Sequence, residues 1–505
     1  MTRTSQPRVQ TCGPEIASTN GAPLVEEMHP VPDVGDALRA LSDLPGVVLF
    51  ESRLQREPVG RYSFLAADPF EFVQIGRVRL GDDPFERVRD LCARFAVETV
   101  PDLPPFQGGA AGVLSYELGH AWEDWPRARF DEFQLPDMAV GLYDWVIAWD
   151  HQRDRAWTVS QGFPETDPAK RTARAAERLR EVHRRLSNPQ FSGPPPLPRV
   201  PVPHGAPQHP LPNIDPLTSD FSRDGYLRTA ERVIEHIHAG DIFQANLSQR
   251  LLAPQRCTSL ELYDRLRTHN PAPFAGYFAP ATFRSSASWR SRASHQWAVI
   301  SASPERFLRV ENGEVETRPI KGTRKRREGR EADLFTRDEL RESGKDRAEN
   351  VMIVDLLRND LSRVCAPGSI RVPSLCGVET YETVQHLVSE IRGELEPPND
   401  AWDLLRATFP GGSITGAPKV RAMEIIADLE PTARGPYCGS LFYAGFDGSF
   451  DSSILIRTFL CRGGWIQCPV GGGIVAQSDP VAEYEETLHK AEGMLRALGH
   501  KSGGL

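Results

Sequence analysis

The chain lacks any segment that would carry it into or across a membrane. Its start, MTRTSQPRVQTCGPE, has no apolar signal core, and no run of about 18 apolar residues occurs anywhere. Positive charge is also short: the net charge is −9, so the surface as a whole does not invite nucleic acid or an anionic membrane. The eight cysteines (Cys12, Cys92, Cys257, Cys365, Cys376, Cys438, Cys461 and Cys468) form no C-x-x-C pair and no Cys/His cluster. That excludes a zinc finger and a disulfide framework, and fits ordinary thiols in a reducing cytoplasm. The phosphate-binding spacings G-x-x-x-x-G-K-[ST] and G-x-G-x-x-G are missing. So are a glutaminase nucleophile turn, G-x-C-x-G with a downstream His-Glu pair, and any solenoid repeat.

What is present is a globular composition, 40% hydrophobic and 25% charged over 505 residues. That length exceeds one simple core. Residues 1–25 read as a polar leader and 26–185 as an N-terminal region with strands such as GVVLFES and VGLYDWVIAWD. The proline-rich stretch 186–220, including SNPQFSGPPPLPRVPVPHGAP, reads as a linker. Residues 221–498 then form a second region. Helices are expected over Asp224–His238, with Leu227, Ala230, Ile234 and Ile237 on one stripe, and over DPAKRTARAAERLREVHRRL. Another is announced by a capping box at Thr336-x-x-Glu339 or Ser343-x-x-Asp346. A third follows GSITGAP, and the last, DPVAEYEETLHKAEGMLRALG, ends at Gly499. Strands such as WAVISASPERFLRV, YCGSLFYAGF, SILIRTFLC and WIQCPVGGGIV lie between them. Runs of strands without a βαβ alternation give an α+β class built on antiparallel sheet.

A few residues stand out chemically. Glu349 and Glu486 sit on helices beside core-facing positions, with Lys490 one turn beyond Glu486. Two carboxylates suit a hard divalent ion, and equally a solvated helix face. GGSITGAPK, 411–419, is a glycine-rich turn feeding a helix, either an anion cradle or a plain tight turn. GGGIV at 471–475 lets a ligand approach the backbone or merely forms a bulge. Arg457, in the apolar strand SILIRTF, needs a partner, either a ligand carboxylate or a protein acid. A hairpin between Glu305 in SASPERFL and Lys321 in RPIKGT would bring an acid and an amine together.

Taken together, GDIFQANLSQR, SPERFL, RPIKGT, DLLRNDLSRV, GSITGAPK, SILIRT, GGGIV and EETLHKA resemble the chorismate-utilising enzymes, in their order and spacing. FESR, GRYSFL and GGAAGVLSYELG resemble the family's N-terminal portion. The resemblance implies large, mainly antiparallel sheets packed as a sandwich and flanked by helices. Members that make anthranilate have alanine between Pro-Ile and Gly-Thr; members that make aminodeoxychorismate have lysine, as here. By that resemblance Lys321 attacks C2 of chorismate with loss of the C4 hydroxyl, ammonia adds at C4, and the lysine is expelled. Glu305 matches the general acid/base, and Glu349 and Glu486 match ligands of Mg²⁺. Arg457 and Lys490 match carboxylate-holding groups, and His386 matches an active-site histidine. Thr415, Gly416, Gly472 and Gly473 match the backbone cradle. Glu51 and Ser52 fall where some relatives hold tryptophan. Ammonia would come from a separate glutamine amidotransferase, and a further enzyme would turn the product into 4-aminobenzoate for folate. The alternatives are an anthranilate-forming enzyme, a water-using isochorismate or salicylate synthase, which the Gly-Asp-x-Phe-Gln-x-Asn segment disfavours, and a non-catalytic chorismate-binding regulatory subunit. Two departures are Lys325, where proline is common, and a basic insertion at 283–297.

Overall fold

The structure, a computed structural model, describes residues 22–54, 59–188, 205–212, 214–280, 297–326, 329–380 and 384–500. Among these, two antiparallel sheets of 13 and 10 strands face each other. Alternation along the strands explains the stacking. In Tyr62–Ala66, Phe64 and Ala66 point into an inter-sheet core, while Leu65 points outward to a second core. In Gly109–Leu114 of the other sheet, Ala111 and Val113 face inward and Ala110 and Leu114 face the helices on that side. Helices cover both outer faces, among them Ser259–His269 and Pro480–Ala497 on one and Gly344–Leu361 and Ala401–Thr408 on the other. This is the expected α+β sandwich flanked by helices.

The proline-rich stretch does not separate two sheets. Strands from before and after it share both, as where Val47–Glu51 pairs with Phe274–Ala279 and Gly109–Leu114 with Ser440–Gly445. Residues 189–204 lie outside the described ones, but His209–Pro210 and Thr218–Ser219 are sheet-edge strands rather than linker. Similarly, Leu24–Glu27 pairs with Arg155–Ser160, so the sheet begins inside the expected leader.

Among the described residues, three of the crossings between the sheets take three residues or fewer. VGLYDWVIAWD is two strands, Met138–Tyr143 in one sheet and Trp145–Asp150 in the other, with buried Asp144 facing Arg174 and Arg178 at 3.4 Å. The second crossing joins Trp297–Ser303 to Arg306–Glu311 and contains Glu305. The third joins Phe450–Ile454 to Thr458–Arg462 and contains Arg457, whose φ of 51° breaks the strand. SILIRTF is therefore not one continuous strand, because an apolar run cannot reveal where its chain changes layer.

Helix ends follow their caps. Asp167 accepts from the Lys170 amide, opening Pro168–Ser187. Ser343 accepts from the Asp346 amide and opens Gly344–Leu361. Thr336 lies buried within a separate helix, Arg330–Glu342, rather than at a helix start. The insertion at 283–297 falls outside the described residues except for Trp297.

Candidate active site

The lysine of RPIKGT sits in a β-bulge. Strand Ile320–Lys325 pairs with Val384–Glu394, and its register slips between Ile320 and Thr323. Gly322 carries the positive φ of 79° that the slip requires, and a Cβ there would lie 2.9 Å from the Asp346 carboxyl carbon. The bulge frees Lys321 from the side-chain alternation of the strand. Its Nζ donates to the Ser413 carbonyl at 3.1 Å. Burial pushes its pKa down, against the pull of Glu349 and Glu305, and Lys490 helps lower it.

Glu305 reaches the same place from its crossing. The hairpin Arg306–Glu311/Glu314–Thr317 turns at Asn312-Gly313 and brings RPIKGT back beside SPERFL. Only 5% exposed, Glu305 has its pKa raised to about 7 by burial, against hydrogen bonding from Ser413 and the Ile320 amide and the charges of Lys321 and Arg457. Burial thus disfavours the charged form of both the carboxyl and the amine beside it.

Gly344–Leu361 and Pro480–Ala497 bring carboxylates to the glycines of Trp465–Ile474. A Cβ on Gly472 would lie 3.4 Å from Lys490 Nζ, 3.5 Å from Glu483 Oε2 and 3.8 Å from Glu486 Oε1. A Cβ on Gly473 would lie 3.6 Å from Glu349 Oε2 and 2.1 Å from Gln244 Nε2. The glycines thus hold open the space between backbone and carboxylates. Lys490 pairs with Glu486 at 2.7 Å and donates to the Gly471 carbonyl at 3.1 Å. Lys490 lowers the pKa of Glu486, whereas burial raises that of Glu349. No cluster of three or more metal-ligating side chains occurs among the described residues. Glu349 and Glu486 both reach the open cradle, and a carboxylate pair so placed would suit Mg²⁺ that keeps water and substrate oxygens. Glu483, held by Lys345 at 2.9 Å and by Ser478 at 2.6 Å, is a third acid at this wall that sequence reasoning missed. Its position one turn before Glu486 was the available signal.

The remaining candidates line the same region. Arg457 lies at its crossing with its pKa lowered by burial, Glu305 acting in opposition. His386 is 3% exposed, and burial with Arg457 nearby lowers its pKa to about 3; its Nδ1 is 2.8 Å from Thr323 Oγ1. It is a neutral imidazole at physiological pH. Buried Thr415 donates to the Gly411 carbonyl at 2.9 Å and its carbonyl accepts from the Asn246 amide at 2.8 Å. Gly416 pairs with Ala245, and a Cβ there would strike the Gln244 carbonyl at 2.2 Å. Gln244, quoted in GDIFQANLSQR but assigned no role from the sequence, has a buried Oε1 without a hydrogen-bond partner. Lys419 of GGSITGAPK is no anion anchor: it is tied to Asp360 at 2.5 Å and to the Thr408 carbonyl at 2.8 Å.

Glu51 and Ser52 belong elsewhere. They line a cavity of ≈600 Å³ that also takes in Pro101, Tyr443 and Ser453, with Arg306 on its wall. Glu51 is buried against Arg267, whose Nε donates at 3.0 Å, and the Tyr263 hydroxyl at 2.5 Å. The catalytic candidates are not in this cavity; neighbouring Glu305 and Arg306 divide between the two sites.

The family model described as chorismate binding enzyme matches residues 49–496, and the chain belongs to that family. It is 39% identical over 471 residues to aminodeoxychorismate synthase component 1 of Escherichia coli (strain K12), covering 91% of this chain and 94% of that protein. It is 40% identical over 441 residues to anthranilate synthase component 1 of Streptomyces coelicolor, covering 87% and 81%. Among solved structures, anthranilate synthase component I from Streptococcus pneumoniae superimposes with a TM-score of 0.69 at 28% identity, over 88% of this chain and 94% of that one. The menaquinone-specific isochorismate synthase MenF of Escherichia coli shares the fold, with a TM-score of 0.67 at 18% identity, over 98% and 97%.

Proposed function

We propose that the chain is an aminodeoxychorismate synthase component 1, converting chorismate and ammonia to 4-amino-4-deoxychorismate. The observation that carries this reading is the amine of Lys321, aimed by a bulge, held at the Ser413 carbonyl and set beside Glu305. In this mechanism neutral Lys321 Nζ bonds to C2 of the ring while the C4 hydroxyl leaves as water, taking the proton of Glu305. Ammonia then bonds to C4 and the lysine departs from C2. Arg457 and Lys490 hold the substrate's two carboxylates, and neutral His386 faces the ring hydroxyl. Thr415, Gly416, Gly472 and Gly473 shape the cradle. Glu349 and Glu486 would hold Mg²⁺, which supplies charge neutralisation at the ring carboxylate when bound.

The name component 1, borne by relatives at this identity, implies a second component. We assign that place to a glutamine amidotransferase supplying ammonia, in a cytoplasmic route to 4-aminobenzoate and folate. No helix among the described residues is long and apolar enough to cross a membrane, and the described cysteines are free thiols.

The second reading, anthranilate synthase component 1, is favoured by the Streptomyces coelicolor relative. Incubation with chorismate, Mg²⁺ and ammonium separates the two. Aminodeoxychorismate is expected, giving 4-aminobenzoate only when an aminodeoxychorismate lyase is added. Fluorescent anthranilate forming without the lyase would reject the first reading, and binding of chorismate without turnover would reject both.

A further inference from the structure

Behind the catalytic wall lies a buried ion pair that the mechanism does not use. Arg434 and Glu430 are 5% and 6% exposed, and both guanidinium edges are occupied. Nε donates to Glu430 Oε2 at 2.8 Å and Nη2 to Glu430 Oε1 at 2.6 Å. The remaining donors go to backbone: Nη1 to the Ile414 carbonyl at 2.9 Å, and Nη2 also to the Asn246 carbonyl at 2.6 Å. Glu430 in turn accepts from the amide and hydroxyl of Ser248, each at 2.8 Å. The ring of Tyr116 supports the guanidinium at 4.7 Å, and Glu117 accepts from the Arg434 amide at 2.9 Å.

The two carbonyls belong to the two segments that form the site. Ile414 sits between Ser413, whose carbonyl holds Lys321, and Thr415. Asn246 pairs with Gly473, and its neighbour Ala245 with Gly416. A single planar fork thus fixes the 411–417 turn against strand Gln244–Pro254, and through that strand against the glycines. A lysine offers one flexible point charge and cannot hold both carbonyls and both carboxylate oxygens at once.

We infer that Arg434 is a positioning residue for Lys321: by clamping the Ile414 and Asn246 carbonyls it sets the Ser413 carbonyl and hence the attacking amine. The inference rests on the reading of Lys321 as nucleophile. Displacing a reacting group by about 1 Å costs on the order of a hundredfold in rate, and substrate binding through other residues need not change.

The test compares Arg434→Lys with Glu430→Gln in the full chain, assayed with chorismate, Mg²⁺ and ammonium. Arg434→Lys should lower kcat by on the order of tenfold to a hundredfold with the KM for chorismate within about threefold. It should also speed amide exchange in peptides covering 244–248 and 411–417. Glu430→Gln keeps the donors to both carbonyls, so it should lower the melting temperature at least as far while retaining more of kcat. If kcat follows melting temperature alike in both variants, or Arg434→Lys keeps wild-type kcat and exchange, the clamp is overturned. Should Arg434→Lys not fold, the charge-neutral pair Glu430→Gln/Arg434→Met is assayed with added guanidinium: recovery of kcat supports the clamp, and no recovery overturns it. Full activity in Lys321→Ala removes the nucleophile reading itself. An inactive Lys321→Ala beside a wild-type Arg434→Lys removes only the clamp.

Discussion

Glu305 and Arg457 occupy adjacent crossings between the two sheets, and the crossings are tied together. The Ile454 amide donates to the Glu305 carbonyl at 3.2 Å, and the Ala302 amide to the Arg457 carbonyl at 3.1 Å. An acid and a cation are thereby set on two rigid bends, each leaving its sheet toward one site. Arg457 and Lys321 both favour the charged form of Glu305, yet burial outweighs them and its pKa stands at about 7.

That balance predicts the pH profile. Turnover needs protonated Glu305, whose pKa stands at about 7, together with neutral Lys321, so the rate should pass through a maximum and fall on either side of it. Lys321 must be neutral, so the rate should fall toward acid, with burial moving that limb below the ordinary lysine range. The two groups interact, and the limbs belong to the pair. Glu305→Gln should lower kcat by roughly 10²–10⁴-fold and flatten the alkaline limb. A Glu305→Gln enzyme with an unchanged alkaline limb would sink the assignment.

Metal dependence follows from the carboxylate pair. Chelation should abolish ammonia-dependent turnover and Mg²⁺ should restore it. Glu349→Gln and Glu486→Gln should each weaken Mg²⁺ binding by at least about tenfold, measured directly by calorimetry in the presence of chorismate. Equal Mg²⁺ affinity in both variants and wild type would move the metal elsewhere.

The glycines should differ in tolerance. Gly473→Ala places a Cβ 2.1 Å from Gln244 Nε2, so Gln244 must move and activity should drop sharply. Gly472→Ala meets its nearest atom, the flexible Lys490 tip, at 3.4 Å. It should fold normally and raise the KM for chorismate more than it lowers kcat. Matching kinetics for the two variants would argue against a cradle at these positions.

The cavity beside Glu51 and Ser52 is proposed to take tryptophan. Arg267 and Tyr263 already engage the Glu51 carboxylate, so that group shapes the wall rather than standing free for a ligand ammonium. Titration of free tryptophan in a calorimeter should give saturable heat, reduced in Ser52→Phe, which adds bulk to the cavity wall. No heat with the wild-type chain would leave this cavity without a tryptophan role.

Local chemistry was legible in the linear chain. The helix expected over Asp224–His238 and the cap at Ser343 depend on neighbours a few residues apart and lie where their patterns indicated, although the fully buried face is Tyr226, Thr229, Ala230 and Val233, with Leu227, Ile234 and Ile237 half-buried beside it. Glu305, Lys321, Glu349 and Glu486 could be singled out because the strings that hold them, taken together, resemble one family, whereas each charge alone fits a solvated surface equally well. Layer assignment was not legible. The residue strings through Asp144 and Arg457 keep their apolar character across a crossing, since both sheets bury both faces, and hydrophobicity carries no mark of which sheet is entered. For the same reason the proline-rich stretch looked like a domain boundary although strands from either side of it share both sheets. Glu483, Gln244 and Arg434 gained meaning only once distant segments met, because hydrogen bonds and ion pairs between residues far apart in sequence leave no periodic trace. Residue type and short spacing therefore determined the chemistry available to this chain; packing of the two sheets decided which of those groups face one another.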